Sequence, residues 1–376
     1  MISDNGAESR NIRTICLPNF EVSWAGGSPG KPGYWFGSDD GRVQFMSLDG
    51  AVLIGPYAIA PAEEAVNGIA FAGGLMAVST RNDVTFLKVP GPRREHVPRT
   101  VFYGGAHGVA STHSGCIIAP MGRRGILLMD PRPETAQRVR ILKPADEALY
   151  IYKVVSLASP DRGIILACAG RRGGFATMPL AGAGLENYGK KLRPVGVDFV
   201  DVAALDVDGF PFAVAALGLD CSIHFVSDLL GDQTTTTLHL SSISSRRERA
   251  YRVLCTEGHV FLLTDKSLYA FKDLAVRFLR GEAINDATAQ SMDLEAVDAS
   301  LGPDRSLLVV MPDSVYHVKI DSILAGGDPR TGPPRNDSRT DLGTKMLPTD
   351  SDDGSWESFE KNPLEQSEEL ELTEVV

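Results

Sequence analysis

The sequence predicts an all-β protein built from one repeated unit, and three observations carry that expectation. The first is the stretch 306–320, in which the apolar run Ser306-Leu307-Leu308-Val309-Val310 stops at Pro312-Asp313 and Val315-Tyr316-His317-Val318 follows. Two short apolar runs around a turn read as a tight hairpin. The second is recurrence: the same unit appears six more times upstream. Its turn residues Gly41, Asp83, Gly125, Gly174, Asp220, Asp265 and Asp313 are 42, 42, 49, 46, 45 and 48 residues apart. The third is that each unit has room for an inner strand, the hairpin and a more polar outer strand. Four-stranded units at a period of roughly 40–50 residues predict a seven-bladed β-propeller.

The elements follow in order. Residues 11–17 alternate like an edge strand, end at Pro18 and have no hairpin partner of their own. Unit one pairs Tyr34-Trp35-Phe36 with Val43-Gln44-Phe45-Met46 around Asp39-Asp40-Gly41. Unit two turns at Arg81-Asn82-Asp83, unit three at Gly122-Arg123-Arg124-Gly125 and unit four at Arg171-Arg172-Gly173-Gly174. Units five, six and seven turn at Leu219-Asp220, Asp265-Lys266 and Pro312-Asp313. The segments 51–54, 98–103, 137–142, 191–195, 234–240 and 275–279 are the expected outer strands. Unit seven has no room for one, because the chain turns polar after Ile320. The orphan strand 11–17 fits there, closing the ring and removing its open edge.

A resemblance accompanies the period. Ser159-Pro160-Asp161-Arg162-Gly163-Ile164-Ile165-Leu166-Ala167 resembles the Ser-Pro-Asp-Gly-x-x-Leu turn of WD40 repeats, and Gly302-Pro303-Asp304-Arg305-Ser306-Leu307-Leu308 is similar. The likeness spans residues 11–322. No unit carries the Trp-Asp dipeptide or opens on a Gly-His pair. The resemblance is to the WD40-like propeller superfamily and to no particular family. It implies a scaffold for binding and brings no catalytic residues or cofactor with it.

Composition narrows the function classes. At 376 residues and 43% hydrophobic the chain can bury a large core, and its net charge of −11 argues against a general nucleic-acid binder or a polybasic membrane protein. Cys16, Cys116, Cys168, Cys221 and Cys255 are odd in number and lie in no CxxC spacing, as expected of core cysteines in a reducing compartment. No basic-then-apolar leader opens the sequence, and no apolar run reaches the ~18 residues of a membrane span. These features predict a cytoplasmic protein. Residues 323–376 are rich in Gly, Pro, Asp, Ser and Glu, and the portion from Asp328 carries a net −8. Such a stretch buries too little apolar surface to offset its ordering entropy, so a disordered acidic tail is expected.

In a propeller all turns between the two middle strands lie on one face. Arg81, then Arg123 and Arg124, then Arg171 and Arg172 occupy those turns in consecutive units two to four. Asp220, Asp265, Asp313 and Asp39-Asp40 occupy them in the others. Adjacent arginines on a rigid rim suit carboxylates or phosphates; scattered turn charges that merely solvate the surface are the plainer reading. In the tail, Trp356 and Phe359 stand among acids, a pattern that docks in a partner groove and folds on binding. The tail is also a candidate cover for the arginines. Asp206-Val207-Asp208-Gly209 lacks the third acidic position of a calcium loop and reads as a turn. The seven histidines show no ligand spacing, and no nucleophile elbow, HExxH or phosphate loop is present. No metal or cofactor is therefore expected. The sequence predicts a non-catalytic interaction scaffold, either a monomer or a subunit of a hetero-complex. A metal-dependent or lactonase-like hydrolase using the central channel, and an acidic-peptide or phosphopeptide binding module, are the alternatives.

Overall fold

The computed structural model describes residues 12–17, 20–28, 32–59, 64–89, 99–103, 106–112, 114–131, 139–143, 150–159, 163–171, 176–180, 198–205, 207–229, 234–240, 248–284, 287–303, 305–325 and 373–375. Their strands form seven antiparallel sheets. The first holds β2 (Val22–Gly27), β3 (Gly33–Ser38), β4 (Arg42–Ser47) and β5 (Val52–Ala58), after the lone β1 (Ile12–Ile15). The second holds β6 (Gly68–Ala72), β7 (Leu75–Ser79), β8 (Asp83–Lys88) and β9 (Arg99–Tyr103). The third holds β10 (Ala110–Ser111), β11 (Ile117–Pro120), β12 (Ile126–Met129) and β13 (Val139–Leu142). The fourth holds β14 (Tyr150–Ser159), β15 (Gly163–Arg171) and β16 (Ala176–Leu180). The fifth holds β17 (Phe199–Ala204), β18 (Val214–Gly218), β19 (Ser222–Val226) and β20 (Thr235–His239). The sixth holds β21 (Ala250–Thr256), β22 (His259–Thr264), β23 (Ser267–Phe271) and β24 (Gln290–Asp293). The seventh holds β25 (Asp298–Gly302), β26 (Ser306–Val310) and β27 (Val315–Lys319).

Six sheets draw their core strands from one continuous stretch of chain each. The seventh is composite: β1 closes it by pairing with β27, Ile12 opposite Val318 and Ile15 opposite Val315. The second sheet gains a fifth strand, β28 (Thr373–Val375), against β9. A closed ring explains why the middle strands read as continuous apolar runs rather than alternating ones. Each sheet is covered on both faces by its neighbours, so β3, β18, β22 and β26 are buried along their whole length. Outer strands face solvent and are polar, as β20 and β24 are.

Seven apolar clusters fill the seven gaps between successive sheets. Trp35, Phe45, Val66 and Met76 join the first sheet to the second. Ile15, Phe20, Tyr34, Phe36, Leu308 and Val315 join the seventh back to the first. Serines stitch the innermost strands where they meet. Ser23 Oγ donates to the Val66 carbonyl at 2.7 Å, Ser111 Oγ to Phe71 at 2.7 Å and Ser300 Oγ to Ala25 at 2.6 Å.

Two segments differ from the sequence reading. The expected outer strand 275–279 is instead helix α1 (Leu274–Leu279), and β24 supplies the outer strand of the sixth sheet. The reason is spacing. Leu274, Ala275 and Phe278 form one helical face that packs into the cluster between the fifth and sixth sheets. The folded body also runs past residue 322: α2 (Ile320–Leu324) buries Ile320 and Ile323 between the sixth and seventh sheets. The expected outer strand 191–195 lies outside the described residues.

Candidate functional site

The turns between middle strands lie on one face together with the connections that lead into each next sheet. Matching hydrogen bonds in two sheets fix that arrangement. Thr80 Oγ1 donates to Glu64 at 2.6 Å in the second sheet, and Thr264 Oγ1 donates to Glu248 at 2.7 Å in the sixth. The spacing is 16 residues in both, an internal repeat of polar chemistry as well as of apolar pattern.

On this face the structure brings some of the turn arginines together. His107, in the connection into the third sheet, and Tyr150 and Tyr152, at the start of β14, form an aromatic cluster. The His107 ring lies 5.7 Å from Tyr150 and 5.5 Å from Tyr152, and the two tyrosines are 5.0 Å apart. His107 Nε2 and the Tyr150 hydroxyl are 3.3 Å apart. The cluster is held by Gly122, which bridges to Ile151 of β14 with a positive φ of 57°. A side chain there would collide with the Tyr150 ring, so the third turn seats against the fourth sheet only with glycine.

Arg81 and Arg123 both bear electrostatically on the cluster. Desolvation by the surrounding protein pushes the His107 pKa below its ordinary value, and the Arg81 charge pushes it the same way. Desolvation raises the Tyr150 pKa, against an opposing pull from Arg123 and Arg81. Arg171 stands in register opposite Tyr150 in the β14–β15 ladder. Arg124 lies in the same turn as Arg123, its backbone N–H bonded to the Met121 carbonyl at 3.1 Å. Arg172, Trp356 and Phe359 lie outside the described residues.

One pH prediction follows for His107. Its folded pKa is below the unfolded value of about 6.5, so the unfolded chain takes up the proton first. Stability is therefore lost as pH falls from about 6.5 toward the folded value, and is insensitive to this group above 6.5. An NMR titration of the ring should give a midpoint below that of a free imidazole. A midpoint at or above 6.5 would remove Arg81 and the packed rings as neighbours of consequence.

The acidic turns are built differently. Asp40 is bound to Ser38 Oγ at 2.5 Å and Arg42 Nε at 2.8 Å. Burial works to raise its pKa, and these two groups together lower it. Asp220 accepts from the Ser222 N–H and hydroxyl at 3.1 and 2.5 Å, and Asp265 accepts from the Arg249 N–H at 2.9 Å. Asp40 and Asp220 close their own turns, while Asp265 ties its turn to the connection that enters the sixth sheet. Of the expected basic positions, Arg81 and Arg123 bear on the rings, while Asp40, Asp220 and Asp265 bond to nearby backbone and side chains. Asp220, Ser222 and His224 also form a hydrogen-bonded chain, with Ser222 Oγ 2.7 Å from His224 Nε2. Ser222 is wholly buried and His224 nearly so, packed edge-on against Phe199, so no substrate reaches the hydroxyl.

A second group was missed in the sequence. Lys153, Asp201, Arg252 and Asp298 sit on β14, β17, β21 and β25, the innermost strands of four successive sheets. Asp201 Oδ1 lies 3.8 Å from Lys153 Nζ and 3.9 Å from Arg252 NH1, and Asp201 Oδ2 accepts the Val253 N–H at 2.9 Å. Arg252 Nε donates to Asp298 Oδ1 at 2.8 Å and its NH2 group reaches the same oxygen. Burial pushes the Lys153 pKa down, with Arg252 adding to it and the two aspartates opposing. Burial works against the Arg252 charge too, but Asp298 and Asp201 outweigh it and hold the pKa above its ordinary value. The signal was present: a register shift falls just before Lys153, Asp201 and Arg252 in their strands. A bulge re-aims the residue that follows it. Each of the three is a lone charge in an apolar run, as in Phe-Val-Asp-Val and Ala-Tyr-Arg-Val.

Among the described residues no three His, Cys, Asp or Glu side chains are grouped to hold a metal ion. None of the five cysteines is in a disulfide among the described residues. Among the same residues no helix is long and apolar enough to cross a membrane.

Sheets arranged in a closed ring, with middle strands buried between neighbours and charges on the innermost strands, define a β-propeller. The solved β-propeller domain of Cps50 (Swd1) from Myceliophteria thermophila is similar in fold. Its TM-score is 0.59 at 13% identity, covering 85% of this chain and 100% of that one. No family model matches the chain, and no curated protein matches it.

Proposed function

We propose that this chain is a non-catalytic protein-interaction scaffold, a propeller subunit or adaptor of a larger assembly, and that its contact face is the one bearing Arg81 and Arg123. One observation supports the reading: the charges of Arg81 and Arg123, on turns of two adjacent sheets, bear on the packed His107–Tyr150–Tyr152 rings. Such a site suits an acidic segment, with arginines for its carboxylates or phosphates and rings for the apolar residues between them. Arg124, Arg171 and Arg172 extend the same basic rim by their place in the chain. The partner is a protein, with no cofactor. A channel enzyme is less well supported, because Lys153, Asp201, Arg252 and Asp298 spend their charges on one another.

The test is binding of a fluorescent Asp/Glu-rich peptide, with and without phosphoserine, at several salt concentrations. The wild-type chain should bind with an affinity that falls as salt rises. The double substitution Arg81→Glu/Arg123→Glu should weaken binding by about 100-fold or more, since each of the two lost charge-assisted contacts contributes roughly 1.5–3 kcal/mol. Lys266→Glu is the control, an exposed charge on a turn of the same face in the sixth sheet. Equal loss in the control would reduce the effect to overall charge and sink the site.

A further inference from the structure

The outer edge of the second sheet is occupied. β28 runs antiparallel to β9, with Thr373 opposite Val101, Glu374 opposite Thr100 and Val375 opposite Arg99. Among the described residues the outer strands of the other sheets have no such neighbour. An outer strand presents a row of N–H and C=O groups that can template another strand. β9 is well suited to this. It keeps an unbroken register with β8 over five pairs, from Leu87 opposite Arg99 to Asp83 opposite Tyr103, and its sequence Arg-Thr-Val-Phe-Tyr holds no proline. β5, by contrast, contains Pro56 and two register shifts.

We propose that the open edge of β9 is a strand-addition site and that its resident occupant is this chain's own C-terminal segment, Thr373–Val375, bound in cis. The occupant is argued from its pairing and from charge. Lys88, Arg93 and Arg94 precede β9 and Arg99 opens it, and Glu365, Glu368, Glu369, Glu371 and Glu374 crowd the end of the chain. The reach is sufficient. A coil of 47 residues, the number between Ala325 and Thr373, would span roughly 40 Å. A three-residue strand would not hold as a separate peptide, but tethering raises its local concentration to about the millimolar range. The contact is therefore one that a longer extended segment displaces. Direction matters as well. The chain enters β28 at Thr373, toward the Tyr103 end of β9, which is level with Asp83 beside the Arg81 turn. The entry into β28 thus lies on the side of the proposed arginine site. The pairing itself does not depend on what those arginines bind.

Amide hydrogen exchange by NMR on the full chain tests this, comparing wild type with Glu374→Pro and Val375→Pro. Neighbouring strand residues aim their N–H groups to opposite sides, so one of the two prolines removes a donor to β9. In that variant the outward amides of Arg99–Tyr103 should exchange about tenfold faster or more, while β8 amides stay protected. Wild-type exchange rates across β9 in both variants would overturn the proposal. So would β9 protection that rises with protein concentration in step with a dimer seen by sedimentation, which would make a second copy the occupant.

Discussion

Arg252→Ala should lower the unfolding free energy by about 3–5 kcal/mol, the typical cost of removing one partner from a buried ion pair. Arg252 is the hinge of the inner-strand network. It binds Asp298 through two nitrogens and stands between Asp298 and Asp201. Asp201 is almost fully buried, and its Oδ1 has no hydrogen-bond partner. Without the guanidinium, Asp201 is left with Lys153 at 3.8 Å, and Asp298 loses its ion-pair partner. Urea unfolding gives the number directly. A second variant separates charge from packing: Arg252→Met keeps most of the stem and should still lose more than half of that stability. A loss below about 1 kcal/mol in both would mean that water in the channel screens these charges.

Ile15→Ala should cost about 2–5 kcal/mol, the range for truncating a fully buried isoleucine. Ile15 is wholly buried in the cluster that joins the seventh sheet to the first, among Phe20, Tyr34, Leu308 and Val315. A strand near the N-terminus that closed nothing would be tolerant of change. A large loss there is the signature of a ring closed by its first strand. Cys16→Ala, on the adjacent exposed position, should change stability by under about 0.5 kcal/mol. Equal small effects at both positions would mean that β1 does not close the seventh sheet.

The repeat was legible because both faces of each middle strand are buried. That makes every hairpin an apolar run broken by Gly, Asp or Asn, and it put the seven turns in sight. The closing role of residues 11–17 was legible from bookkeeping, an alternating strand with no partner against a last unit with no outer strand. What failed has physical reasons. The segment 275–279 was read as a strand, although its buried positions 274, 275 and 278 have helical spacing. The turn acids Asp40, Asp220 and Asp265 suggest one half of a charged face, yet the first two close their own turns and Asp265 holds the Arg249 N–H, contacts invisible without coordinates. Tyr150 gave no motif. It becomes part of a site only because Gly122 lets the third turn lie against β14. The pairing of Thr373–Val375 with β9 joins residues more than 250 positions apart, and no periodicity announces it.

The central claim is that the Arg81–Arg123 face holds a protein partner. The most direct measurement is affinity purification from native cells with full-length wild type and full-length Arg81→Glu/Arg123→Glu side by side, read by quantitative mass spectrometry. The account predicts a stoichiometric partner with the wild type, rich in acidic segments, that is lost from the double variant while the variant remains folded. A partner retained equally by both baits, or no stoichiometric partner with either, would contradict it.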